Sequence, residues 1–134
     1  MTRKKIKGTA GASAKLFDDF FRRCDRAFAF VESTYGLSNS ESRRVGLEVA
    51  RTYESADRKI IVYFEPFSRI WVQLERKVRD KRHRKGLHQA YQRAVGERWP
   101  ISEELPQGTV YDFEDCTVIS QILERHWEEL FGTL

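Results

Sequence analysis

An α+β domain is the fold class this 134-residue chain predicts: an antiparallel meander of three to four strands packed against a long N-terminal helix and a C-terminal helix. Three observations point to it. Apolar residues recur at helical spacing near both ends, and they alternate with a period of two in between. Short turns, too short to hold a crossover helix, join the alternating segments, which makes neighbouring strands antiparallel.

The elements follow in order. Residues 1–12 read as a flexible basic arm, with Arg3, Lys4, Lys5 and Lys7 followed by small residues and glycines; residues 13–134 read as a single α+β domain. Ser13 is placed to cap a helix. From Ala14 to Tyr35, Leu16, Phe17, Phe20, Phe21, Cys24, Ala27, Phe28 and Val31 form one apolar stripe, with Asp and Arg on the other face and Gly36 as its C-terminal stop. After a polar link, Ser38 to Ser42, the residues Val45, Leu47, Val49 and Tyr53 alternate with polar ones, and Arg51 interrupts the inward row. A turn at Ser55–Arg58 leads to Ile60–Glu65, apolar on both faces and therefore central. A second turn at Pro66–Ser68 leads to Ile70, Val72 and Leu74. Leu87 to Val95 makes a short helix closed by Gly96, Thr109–Tyr111 is extended and able to add an edge strand, and Val118 to Phe131 makes the last helix, with Asp112 or Asp115 as its cap.

Hydrophobic content of 40% and aromatic content of 13% are those of a chain that buries a core. The longest apolar run, Ile60–Phe64, is far below the ~20 residues that span a bilayer. With no greasy core behind the basic N-terminus, a cytoplasmic location is expected. Cys24 and Cys116 are then two small buried hydrophobes by default, and whether they pair stays open.

Charge is distributed unevenly. Residues 76–85 carry seven basic side chains against one acidic, whereas residues 97–134 carry nine acidic against two basic, so the net +4 hides two poles. Such asymmetry points to a charged partner more than to a reaction. One reading makes the acidic third a docking surface for a basic protein, with Trp99, Glu103, Glu104, Tyr111, Asp112 and Phe113 as the protein-binding candidates. The other makes Arg76, Lys77, Arg79, Lys81, Arg82, Arg84 and Lys85 a nucleic-acid-binding patch, joined by the arm and by Trp71 or Tyr91 as stacking platforms. Against both stands the plain alternative of solvated faces.

Catalytic machinery is not visible. No glycine-rich phosphate loop, paired-cysteine zinc spacing or HExxH occurs, so no cofactor, metal site or catalytic residue is assigned. His83 and His88 read as exposed and His126 as partly buried and hydrogen-bonded. Cys24 sits on an apolar stripe, where burial suppresses thiolate chemistry.

Tyr35-Gly36, Tyr53-Glu54-Ser55, Ile61-Val62-Tyr63-Phe64-Glu65-Pro66 and Ile70-Trp71-Val72-Gln73-Leu74 give the middle of the chain a further meaning. Over Leu16 to Arg76 it resembles small bacterial immunity proteins of polymorphic toxin systems. That resemblance implies a cytosolic inhibitor that blocks a cognate toxin by tight binding, and carries over no binding residue. Inhibitors of nucleases in such systems are often acidic, and this chain is basic. Either the acidic pole is the blocking surface, or the toxin is not a nuclease. The function expected is therefore a non-enzymatic binding protein, immunity- or antitoxin-like, acting on a protein partner; the alternative is a nucleic-acid-associated protein using the arm and residues 76–85.

Overall fold

The structure, a computed structural model, describes the backbone of residues 2–43 and 48–134 and the side chains of residues 14–42 and 48–134. Its elements are α1 (Thr2–Ala27), α2 (Ala29–Ser33), β1 (Ser38–Arg43), β2 (Val49–Glu54), β3 (Arg58–Phe64), β4 (Trp71–Val78), β5 (Lys81–Gly86), α3 (Leu87–Val95) and α4 (Glu114–Gly132). The α+β class holds, with five strands among the described residues instead of three to four, in the antiparallel order β1-β2-β3-β4-β5. Among the described residues, no helix is long and apolar enough to cross a membrane.

The first helix starts at Thr2, so its backbone runs through the stretch expected to be an arm. The side chains of Arg3, Lys4, Lys5, Lys7 and Ser13 lie outside the described residues, as do Val45 and Leu47 of the expected first strand. At Phe28 (φ −104°, ψ 18°) the helix bends, and the single helix expected over 14–35 becomes α1 and α2. The apolar stripe survives the bend: Phe20, Cys24, Phe28 and Val31 are all fully buried. Gly36, at φ 72°, closes α2; its N–H bonds the Glu32 carbonyl and the Leu37 N–H bonds that of Val31, which buries Leu37.

Two strands come from segments that the apolar pattern left out. β1 is the expected polar link, Ser-Asn-Ser-Glu-Ser-Arg, an edge strand that pairs in register from Ser38↔Glu54 to Arg43↔Val49. β5 is the second half of the basic run. Val78 and Lys81 flank a two-residue turn in which Arg79 (φ 50°) and Asp80 (φ 66°) are both left-handed, the hairpin geometry that matches strand twist. Positively charged side chains along such an edge also discourage a further strand from pairing there. Among the described residues Thr109–Tyr111 joins no strand; the Phe67 N–H donates to the Val110 carbonyl, 2.6 Å.

One face of the sheet carries Val49, Tyr53, Ile60, Val62, Phe64, Val72 and Leu74, all buried under the helices. Phe64 stacks on Phe20 (5.1 Å, 25°) and meets Phe113 edge-on (5.1 Å, 74°), which joins α1, β3 and the start of α4. Tyr35 stacks flat on Trp127 (3.8 Å, 7°) and closes the far end. Arg51 faces inward as its position in the row requires; it lies over the Phe21 ring and pairs with Asp25 at 2.8 Å. Cys24 and Cys116 are buried free thiols, and burial raises the pKa of Cys24, aided by its hydrogen bond with Cys116. The opposite face carries Ser40, Thr52, Ile61, Tyr63, Trp71, Gln73, Arg82 and Arg84, together with Ala50 and Glu75, which are buried.

Candidate protein-binding site

The two ends of β4 mark two chemically different ends of the molecule. At its N-terminal end the β3–β4 turn meets the long segment between α3 and α4. Glu65-Pro66-Phe67-Ser68 closes with the Ser68 N–H on the Glu65 carbonyl (3.1 Å), and Phe67 takes the third position at φ 69°, where glycine is preferred. A bulky residue there is strained, and its ring stands 72% exposed. Trp71 and Tyr111 are also exposed at this end, at 43% and 44%.

Arg69 holds the two segments together. One of its terminal nitrogens reaches Asp112 (3.3 Å) and both oxygens of Asp115 (3.2 Å), and the other donates to Ser102 Oγ (3.0 Å) and to the Glu104 carbonyl (3.3 Å). Its Nε is buried with no partner among the described residues. Burial raises the pKa of the Asp115 carboxyl, against the pull of Arg69. Asp112 also accepts the Glu114 N–H (3.1 Å), but the cap position of α4 belongs to Phe113, which offers no side-chain cap, and not to Asp112 or Asp115 as expected.

Between β4, α3 and the tethered segment lies an open groove of about 990 Å³. Its walls include Trp71, His88, Trp99 and Ile101, and Glu103 and Glu104 form one lip. Trp99 is held by an edge contact with Tyr91 (5.4 Å), whose hydroxyl donates to Glu97 at 3.2 Å. Tyr91 is therefore a buried support and not a stacking platform.

The structure thus sorts the six protein-binding candidates. Trp99, Glu103 and Glu104 share the groove, whereas Tyr111 is exposed outside it and lines a separate concavity with Arg22, Arg23 and Arg26 of α1. Asp112 is occupied by Arg69 and by the helix start. Phe113 is a correction: it is buried at 8% exposure against Phe20, Phe64 and Tyr111, because the last residue before α4 turns into the core. Phe67 and Arg69 are not among the sequence candidates; an aromatic at the third position of a proline turn is the signal that could have found Phe67, and nothing local marks Arg69.

The acidic pole is less uniform than its count suggests. Glu114 pairs with Arg23 (2.9 Å), Glu128 makes a two-pronged pair with Arg58 that lowers its pKa, and Glu129 binds His126 (3.1 Å). Glu103, Glu104 and Glu124 have no such cation among the described residues.

At the other end of β4, the basic run is a hairpin whose cations divide by face. Inward, Arg76 donates to the Phe131 carbonyl (3.3 Å) and Lys85 to that of Thr133 (2.9 Å), which places two positive charges on the C-terminal end of α4. Outward, Arg84 (3.0 Å) and Arg82 (3.9 Å) flank Glu75, which is buried under them. Lys77 lies 3.8 Å from Asp80. Arg79 and Lys81 at the tip have no carboxylate partner among the described residues. No group of three or more metal-ligating side chains occurs among the described residues. No family model, no curated protein and no solved structure matches the chain.

Proposed function

We propose that this chain is a non-enzymatic binding protein, an inhibitor of the immunity or antitoxin type, that takes hold of a basic segment of a protein partner in the Trp71–Trp99 groove. The observation that carries this reading is the convergence at one end of the sheet: exposed Phe67, Trp71 and Tyr111, the half-buried Trp99, and the carboxylates of Glu103 and Glu104, which have no cation partner among the described residues. Aromatic side chains held rigidly around a concavity are the usual anchors of an interface, and an acidic lip selects a cationic partner. Arg69 holds the groove wall in place beforehand, which lowers the ordering cost of association.

A second reading, nucleic-acid binding through the hairpin, is favoured by one observation: Arg79 and Lys81 at its tip lack carboxylate partners among the described residues. One experiment separates the two. Tagged protein is used for capture from cells that encode it, with and without nuclease, as the native chain, as Glu103→Lys/Glu104→Lys, and as Arg79→Ala/Lys81→Ala/Arg82→Ala. The groove reading expects one stoichiometric protein that survives nuclease, is kept by the hairpin variant and falls at least about tenfold with the groove variant, the change expected for about 1.4 kcal/mol. Undiminished capture by the groove variant contradicts it. Material lost on nuclease treatment and by the hairpin variant selects the second reading.

A further inference from the structure

We infer that Cys24 and Cys116 form a redox latch between α1 and α4: a small-molecule disulfide such as oxidised glutathione joins their sulfurs in an internal disulfide, and reduction releases it. This inference does not depend on the groove reading. The chain has two cysteines, far apart in sequence, and the fold sets them together. Phe20 of α1 meets Phe113 at 6.0 Å between ring centroids, and Arg23 pairs with Glu114 at 2.9 Å, so α1 runs beside the start of α4. Cys24 lies one helical turn beyond Phe20. Cys116 lies in the first turn of α4, its N–H on the Phe113 carbonyl at 3.0 Å. Both side chains face the same part of the core, where each residue is 0% exposed and the two thiols are hydrogen-bonded to each other.

Reduced, such a pair gains little, because S–H is a weak donor and sulfur a weak acceptor. What the contact provides is proximity for a bond between them. The reaction balances as two exchanges. The thiolate of one cysteine attacks oxidised glutathione, forms a mixed disulfide and releases one reduced glutathione. The thiolate of the other cysteine then attacks the sulfur of the first and releases the second reduced glutathione. The protein gives up two electrons and two protons, and the two glutathione thiols carry them away. In the closed fold neither exchange is fast, since the sulfurs are shielded from solvent and burial holds the Cys24 thiol above its ordinary range. The latch therefore closes and opens through separation of α1 from α4, and a closed latch is shielded from passing thiols. Once closed, it ties off a loop of roughly 90 residues that contains the sheet and α3, and so restricts the unfolded chain. It also fixes the turn of α4 that carries Asp115, the carboxylate held by Arg69.

The test is the exchange equilibrium of the native chain with glutathione. The protein is brought to equilibrium with mixed reduced and oxidised glutathione, once folded and once in urea, and quenched with acid. Intact mass then reads the closed fraction, because closing the latch removes two hydrogens. A disulfide that fits the fold is favoured by folding as much as it favours folding. The equilibrium constant is therefore expected to be about a hundredfold larger for the folded chain than in urea, within the usual range for such a bond. The oxidised form is expected to melt about 10 °C above the reduced form, with unchanged circular dichroism, and to lose the gain on reduction. Cys24→Ser and Cys116→Ser are expected to melt at the same temperature with and without glutathione. A constant no larger for the folded chain than in urea overturns the inference. So does a folded chain that collects glutathione adducts without closing, or an oxidised form that melts no higher than the reduced one.

Discussion

Arg69→Ala is expected to destabilise the protein by about 3–5 kcal/mol, the cost of removing one member of a buried ion pair. Asp115 is 5% exposed, and Arg69 is the cation in contact with its carboxylate. The loss has a pH signature. Burial already raises the folded pKa of Asp115 above its unfolded value, so its charge costs stability above that pKa, and the cost fades as the pH falls through it. Arg69 opposes the shift; without it the pKa rises further. The difference between native and variant stability is therefore greatest at neutral pH and narrows on acidification toward the ordinary aspartate value near 3.9. Chemical denaturation at several pH values measures this. Arg69→Ala/Asp115→Asn is expected to recover part of the loss, because the uncompensated charge is gone while the tether to Ser102 and Glu104 is not restored. A pH-independent difference, or no recovery, removes the buried-pair explanation.

Phe64→Ala is expected to cost about 3–5 kcal/mol as well, through lost burial and the cavity left behind. Phe64 is 1% exposed and touches Phe17, Phe20 and Phe113, so its ring joins three elements. At roughly 4 °C per kcal/mol for a domain of this size, the melting midpoint falls by about 10–20 °C. Phe67→Ala, three residues on, removes the same ring from a site 72% exposed and is expected to leave the midpoint nearly unchanged. Thermal melts of the two variants side by side make the comparison, and equal losses contradict the placement of the core.

What the sequence allowed to be read follows from what apolar periodicity can report. The stripe from Leu16 to Val31, the alternation from Ile60 to Phe64, and the short helix ended by Gly96 at φ 76° all bury one face against a shared core, and each is found where its pattern puts it. β1 carries no apolar residue, so nothing in its composition distinguishes a polar edge strand from a link; backbone pairing and Asn39, which bridges Glu32 and Arg51, hold it. In β5, Lys85 turns inward to the Thr133 carbonyl while Arg82 and Arg84 turn outward to Glu75, a division that polarity alone does not show. The groove is half legible: aromatic and acidic residues in the 97–112 segment name Trp99, Glu103 and Glu104, which line it, along with Tyr111, which does not. Its other wall comes from β4 and α3, and its brace from Arg69, distances along the chain that no local pattern spans. Phe113 failed for a related reason, since a helix entry looks like a loop until the helix direction is known.

The most direct measurement of the central claim is the hydrogen-exchange footprint of the captured partner on this chain. The groove reading predicts slowed exchange at residues 67–71 and 98–105, where the aromatic anchors and the acidic lip lie, with the hairpin at 76–85 unchanged. Protection confined to 76–85, with 98–105 exchanging as in the free protein, would contradict it and place the partner on the basic end.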